Sequence, residues 1–178
     1  MYRSVVLLTA LAIGALFPVA GLTALESEAA VVISFDAEAL VWTAPVKVAA
    51  DPDSLDGRYI IPDAGQGDGN VGSMNIHIPR AGDYYVWARV KAPTGTKHAL
   101  DVELGGARYT WSIGDSAIWH WERFARPDGS GGTTPAALSI SKVGDYRFRV
   151  FRRTGGVSLD AFLITDDLYL APLDHVRR

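Results

Sequence analysis

The sequence predicts an all-β protein, an antiparallel β-sandwich of the jelly-roll type, and three observations support this fold class. From residue 30 onward, apolar and polar residues alternate in run after run, which is the two-residue period of β-strands. The same region contains no apolar stripe with the 3.6-residue period of an amphipathic helix. Turn residues separate the runs at short intervals, as in two sheets packed face to face.

The alternation defines the strands in chain order. In residues 84–90, the even-numbered positions are apolar or aromatic and face one side, while Arg89 lies on the other. In residues 100–104, leucine and valine alternate with Asp101 and Glu103, which indicates a sheet with one wet face. The predicted strands are 31–36, 46–49, 59–61, 74–78, 84–90, 100–104, 119–124, 137–141, 145–152 and 157–165. The predicted turns between them are 51–53, 56–57, 65–72, 93–95, 105–106 and 128–134.

The N-terminal segment has the pattern of a secretory signal. Arg3 gives a short positive start, and residues 5–22 are then uncharged and mostly apolar. Small residues place a cleavage site near Ala24 or Ala29, so residues 1–29 are expected to be removed. We therefore expect a secreted protein, extracellular or periplasmic.

A retained membrane anchor is the alternative for this segment, because an apolar run of this length can just span a bilayer. Gly14, Pro18 and Gly21 weaken it as a stable helix, which favours cleavage and no stable membrane insertion afterwards. The remaining residues, 30–178, are expected to form a single β-sandwich domain.

Composition excludes several kinds of chemistry. The chain contains no cysteine, so disulfides, thiolate zinc sites and a cysteine nucleophile are absent. Its formal net charge is −3 with both signs scattered, which argues against a nucleic-acid partner.

Four motifs occur in an order that resembles a known family. They are Phe-Asp-Ala-Glu-Ala at 35–39, Gly-x-Tyr-x-Val-Trp-Ala-Arg-Val at 82–90, Trp-x-Trp at 119–121 and Leu-Asp-x-x-Leu-Ile-Thr at 159–165. Together they resemble the carbohydrate-binding modules of families 6 and 35, which are found appended to polysaccharide lyases and glycoside hydrolases. The resemblance implies a galactose-binding-like β-jelly roll, noncatalytic binding of a polysaccharide or glycan, and a structural calcium ion.

The calcium ligands implied by the resemblance are Asp36, Glu38 and Asp160. In the family, a Glu-x-Glu near the N-terminus and an aspartate in the last strand hold the ion, and here Asp36 replaces the first glutamate. All three carboxylates lie within apolar runs, where a charge needs a partner or a cation. The alternative is that these carboxylates pair with arginines or cap turns at the sheet edge.

The sugar-binding residues follow from the same resemblance and from the chemistry of sugar recognition, which uses an aromatic face and planar polar groups. Trp119 matches a tryptophan that can form a sugar platform, and Tyr59 matches the aromatic residue opposite it. For both Trp111 and Trp119, a role as sugar platform and a place in the core are equally open. Ser158 stands where the family often has an asparagine. Trp121 shares a strand face with Trp119 but is expected to belong to the core.

Arginine side chains suggest an acidic ligand. A planar guanidinium matches the carboxylate of a uronic acid, so Arg89 on the polar face of its strand is a candidate contact to an acidic polysaccharide. Pinning a loop is its alternative role. Arg147 and Arg149 are expected to be a solvated strand face.

No catalytic motif is recognisable, and we expect a protein that is not an enzyme. The four histidines are isolated, and no nucleophile elbow, phosphate loop or dinucleotide fingerprint occurs. A glycan-cleaving carboxylate pair is less favoured. The stronger alternative is an extracellular structural or adhesive protein that self-associates through the same fold.

Overall fold

The computed structural model describes residues 28–43, 46–62, 71–95, 98–130, 132–154 and 156–173. These residues form fourteen strands and one turn of 3₁₀ helix, Ala37–Ala39. The strands are β1 (Val32–Asp36), β2 (Val41–Trp42), β3 (Val46–Ala50), β4 (Arg58–Pro62), β5 (Val71–Ile78), β6 (Gly82–Ala92), β7 (His98–Leu104), β8 (Ala107–Ile113), β9 (Ser116–Arg123), β10 (Ala125–Pro127), β11 (Thr133–Pro135), β12 (Leu138–Ile140), β13 (Gly144–Thr154) and β14 (Ser158–Thr165). The predicted leader lies outside the described residues except for residues 28 and 29.

Two antiparallel sheets contain most of the strands. In the seven-stranded sheet, β14 and β6 pair at the centre. The other edge of β14 pairs with β1 along one part of its length and with β4 of the β4–β3 hairpin along another. The other edge of β6 pairs in the same way with β9 and with β12. The five-stranded sheet has the order β2-β5-β13-β7-β8, and β10 pairs with β11. The all-β fold class predicted from the alternation is therefore confirmed.

The core lies between the two sheets and is built by the inward residues of each alternating strand. Val86, Ala88 and Val90 of β6 are fully buried, as are Val102 and Phe148 on the opposite sheet. The Phe35, Phe148 and Phe162 rings lie 5.4 to 5.6 Å apart, edge to face or stacked, and join β1, β13 and β14 across the core. Such ring pairs add about 0.5–1.5 kcal/mol each beyond the area they bury.

All ten predicted strands are present, and four strands were not predicted, β2, β8, β10 and β11. The important omission is β8, which pairs with β7 across Gly105 and Gly106. Their φ values of +67° and +85° lie in the left-handed region that glycine adopts at little cost. Because β8 reaches Ile113, Trp111 belongs to a strand and not to a loop edge.

Of the residues that the structure describes, none forms a helix long and apolar enough to cross a membrane.

Candidate functional site

A cleft of about 610 Å³ lies on the outer face of the seven-stranded sheet. We call it the outer cleft. Its floor is the exposed side of β1 and β14, with β9 beyond them. Loop 51–57 forms one wall and the C-terminal segment after β14 forms another. Its lining includes Asp36, Leu55, Asp56, Trp121, Leu163 and Leu173.

The outer cleft lies where the sheet is interrupted. β1 ends with Asp36 paired to Ala161, whereas β4 meets β14 at Leu159. Between these two pairs, the register of β14 against β6 also shifts, which leaves Asp160 as the extra residue of a β-bulge. The 3₁₀ turn of residues 37–39 follows β1 directly at this gap.

Asp160 makes a buried ion pair with Arg89, which lies beside it on β6. Asp160 Oδ2 lies 2.5 Å from Arg89 Nη1, and the side chains are only 1% and 4% exposed. The same oxygen accepts the Leu55 backbone N–H at 3.0 Å, and Arg89 donates to the Asp53 carbonyl at 3.0 Å. Burial raises the pKa of Asp160, although the Leu55 N–H and Arg89 act in the opposite direction. This ion pair therefore attaches loop 51–57 to the sheet.

Asp51 attaches the beginning of the same loop. Its Oδ2 accepts hydrogen bonds from Lys91 Nζ at 2.5 Å and from Trp119 Nε1 at 3.0 Å, and its Oδ1 accepts the Asp53 N–H. The Lys91 hydrogen bond, together with the backbone and indole donors, lowers the pKa of Asp51. The loop closes where Gly57, at φ +84°, returns its carbonyl to the Asp51 N–H.

Trp119 and Tyr59 lie together beneath this loop. Their ring centroids are 5.2 Å apart in an edge-to-face arrangement, so the predicted aromatic pair is brought into contact. Lys91 lies over both rings, and Arg89 lies 5.6 Å from the Trp119 centroid. Trp119 is only 7% exposed as a result. The pair supports the wall of the outer cleft and offers little free ring face to a ligand.

Two other predicted sugar contacts are not accessible. Trp111 packs edge to face on Phe124 at 5.8 Å and is 1% exposed, so its open assignment resolves to the core. Arg89 is occupied by Asp160 and the Asp53 carbonyl, which corresponds to the alternative role of pinning a loop. Ser158 is also buried, at the start of β14.

Trp121, which the sequence analysis assigned to the core, lines the outer cleft and is only partly buried. The alternation of β9 correctly placed Trp119 and Trp121 on one face, opposite Lys91 and Arg89 of β6. Sequence could not show which of the two tryptophans loop 51–57 covers. The adjacent Trp87 has Arg123 over its ring at 5.1 Å.

The three predicted calcium ligands lie in one region. Asp36 is the last residue of β1, Glu38 is in the 3₁₀ turn and not on the predicted strand, and Asp160 is in the bulge. Both carboxylate oxygens of Glu38 and the Oδ1 atom of Asp160 are buried without a hydrogen-bond partner. Burial raises the pKa of Glu38, its own backbone N–H acts in the opposite direction, and the nearby charges of Asp56, Asp160 and Asp36 raise the pKa further.

Asp56 was not predicted to belong to this group, although its turn was. Within the described ranges, no three histidine, aspartate or glutamate side chains converge as a preassembled metal site. Asp160 has Arg89 as its cation, but the Glu38 carboxylate has no such partner and favours either a proton or a bound cation, since an unpaired buried carboxylate is costly.

The outer cleft thus combines an aromatic ring, apolar walls and hydrogen-bond acceptors. Trp121 can cover the apolar face of a pyranose ring, and the carboxylates of Asp36 and Asp56 can accept hydrogen bonds from hydroxyl groups. This combination is suited to binding a polyol without covalent chemistry.

Solved structures share this fold. A family 35 carbohydrate-binding module from Clostridium thermocellum matches with a TM-score of 0.54 and 15% identity, over 75% of this chain and 97% of the module. The C-terminal family 6 module of a laminarinase from Zobellia galactanivorans matches with a TM-score of 0.53 and 18% identity, over 75% and 98%. The fold implied by the sequence resemblance is therefore confirmed.

Exo-β-1,3-galactanase from Phanerochaete chrysosporium, in a structure with galactose, matches with a TM-score of 0.55 and 14% identity, over 75% of this chain. The chain spans only 29% of the length of that enzyme. No protein-family model matches the sequence, and no curated protein matches it.

Replacing Arg89 by methionine should lower the free energy of unfolding by about 3–5 kcal/mol, because Asp160 would remain buried without its cation. Urea denaturation at neutral pH measures the change. The double variant Arg89→Met with Asp160→Leu should recover much of the loss, since neither charge then remains buried. A loss below about 1 kcal/mol in the single variant would contradict the structural role of the ion pair.

Asp51→Asn should destabilise the protein in a pH-dependent way. The pKa of Asp51 is lower in the folded protein than its ordinary value of 3.8, so its charge stabilises the fold above that pH. This contribution, about 1 kcal/mol, is lost as the pH falls from 3.8 through the folded pKa. Urea unfolding at pH 7, 5 and 3 should show the gap between wild type and variant narrowing on acidification. A gap that is constant across this range would refute the assignment.

Proposed function

We propose that the protein binds carbohydrate in the outer cleft without cleaving it, with Trp121 as the stacking platform. The observation that carries the proposal is a tryptophan lining a cleft beside Asp36 and Asp56. The neighbours in fold, a family 35 module and a family 6 module, are described as carbohydrate-binding modules and support it. Stacking supplies affinity, and the carboxylates orient the hydroxyl groups.

The charge of the outer cleft favours a neutral sugar there. Asp56 would repel a uronate carboxylate, and Arg89, the expected partner for such a group, is held by Asp160. The apolar leader of residues 1–29 supports export, so we propose an extracellular or periplasmic polysaccharide as the ligand.

We also propose that the chain binds a calcium ion at the end of the outer cleft, held by Asp36, Glu38 and Asp160. Calcium favours carboxylate and carbonyl oxygens, and the buried, unpartnered oxygens of Glu38 and Asp160 fit that preference. When bound, the ion would supply the positive charge that Glu38 otherwise lacks. Its role is structural, because it would join the turn after β1 to the bulge of β14.

Trp121→Ala should weaken binding of neutral oligosaccharides by about 5- to 30-fold, because a buried ring contact contributes on the order of 1–2 kcal/mol. A glycan array would first identify the ligand, and isothermal titration would then measure the Kd. Trp121→Phe should retain part of the affinity, since it keeps an aromatic face.

Trp87→Ala is the matched control, because Trp87 lies on the same sheet face but does not line the outer cleft. It should leave the Kd unchanged. Equal losses in the two alanine variants, or release of reducing sugar from the bound oligosaccharide, would contradict the proposal. Absence of glycan binding together with calcium-dependent self-association would favour the structural alternative.

Calcium should raise the thermal stability of the wild-type protein relative to protein in chelator. Calcium at a hundred times its Kd adds about 2.7 kcal/mol to the free energy of unfolding. Glu38→Gln should abolish this response, yet it should be at least as stable as wild type in chelator, because it removes a buried charge. Asp145→Asn, an exposed carboxylate on the other sheet, is the control. The same melting temperature with calcium and with chelator in the wild type would refute the site.

A further inference from the structure

The outer face of the five-stranded sheet presents four arginines. Arg147 and Arg149 alternate with buried residues along β13, and Arg108 of β8 and Arg153 near the end of β13 lie across the same face. We call this surface the arginine face. Arg147 and Arg149 lie two residues apart on the strand, about 6.6 Å between their Cα atoms, and project from the same face.

Carboxylates on the neighbouring strand hold three of these arginines in place. A face that is merely solvated does not require such contacts. Asp101 is 3% exposed and accepts hydrogen bonds from Arg108 Nε at 2.7 Å and Arg153 Nη1 at 3.3 Å. The Arg108 guanidinium also lies 3.6 Å from the centroid of Phe151. Burying a carboxylate costs free energy. The buried Asp101 carboxylate therefore serves to orient the guanidinium groups and not to make the surface soluble. Arg149 donates to Glu103 at 3.0 Å.

The outer edges of these guanidinium groups remain in solvent. The side chains of Arg108, Arg149 and Arg153 are 37%, 38% and 43% exposed, and Arg147, which donates to Ser73 Oγ at 3.0 Å, is also exposed. A guanidinium that is fixed by a carboxylate on one edge keeps a planar set of donors on the other. That geometry matches a carboxylate or a sulfate group.

From this geometry we infer that the arginine face is a second ligand-binding surface, separate from the outer cleft, that binds an anionic polysaccharide through its uronate or sulfate groups. Asp101, Glu103 and Asp145 alternate with the arginines on this face, and Asp145 pairs with His77. The carboxylates interspersed among these arginines and the net charge of −3 both disfavour a nucleic acid.

The test uses the full chain with three probes, heparin, polygalacturonate and a neutral β-glucan, and measures Kd by isothermal titration at low and at physiological salt. The anionic probes should bind and the affinity should fall with salt. Arg147→Gln should weaken binding about tenfold, while Lys47→Gln, the same charge change on exposed strand β3 of the other sheet, should not. Equal effects of these two variants would overturn the inference, as would binding of duplex DNA as tight as that of heparin.

Glu103→Gln separates a fixed arrangement of arginines from simple attraction. It makes the face more positive but releases Arg149, so held arginines predict weaker binding and charge alone predicts tighter binding. Tighter binding would overturn the role of Glu103 and Asp101 in holding the arginines. Trp121→Ala should leave binding of the anionic probes unchanged. Loss of binding at the arginine face can therefore be told apart from loss of binding in the outer cleft.

Discussion

The buried ion pair between Arg89 and Asp160 determines the layout of the outer cleft. It lies at the bulge of β14, where the sheet edge passes from β1 to β4, and it holds loop 51–57 through Leu55 and Asp53. Without that attachment, the loop would have only the Asp51 hydrogen bonds to keep it against the sheet. The cleft wall and the burial of Trp119 both depend on the loop position. One ion pair thus decides which tryptophan of the Trp-x-Trp motif faces solvent.

The same region contains more carboxylates than cations. Arg89 neutralises one oxygen of Asp160, yet Glu38 has both of its oxygens buried without partners, with Asp36 and Asp56 close enough to raise its pKa. A fold does not keep such a group charged in a low-dielectric site unless something compensates for it. Protonation and a bound cation are the two possibilities, and they respond oppositely to pH. The proposed calcium ion would neutralise these acids at the point where β1 ends beside the bulge of β14.

Local pattern predicted the strands well because strand alternation and glycine turns are short-range properties. It correctly placed Trp119 and Trp121 on one face. The contact of Tyr59 with Trp119 was implied by the family resemblance and not by local pattern. It failed where burial depends on distant segments, since no local feature distinguishes the covered tryptophan from the exposed one. Trp111 shows the same limit, because the alternation of β8 was present but its partner strand lies across the Gly105–Gly106 turn. Arg89 shows it most clearly, because its partner Asp160 is far away in sequence.

Arginine chemistry led to the prediction of an acidic ligand, with Arg89 as its candidate contact. Arg89 is buried and neutralised, whereas Arg147 and Arg149, expected only to be solvated, belong to an ordered surface on the other sheet. Four arginines interspersed with carboxylates therefore lie on one outer face of the sandwich, whereas Trp121, Asp36 and Asp56 lie on the other. A polysaccharide that alternates neutral and anionic sugars could use both faces only by bridging two molecules, because the sandwich separates them. Binding at both faces would then cross-link polysaccharide molecules. The carbohydrate-binding and the adhesive interpretation would both follow from this arrangement of two binding faces.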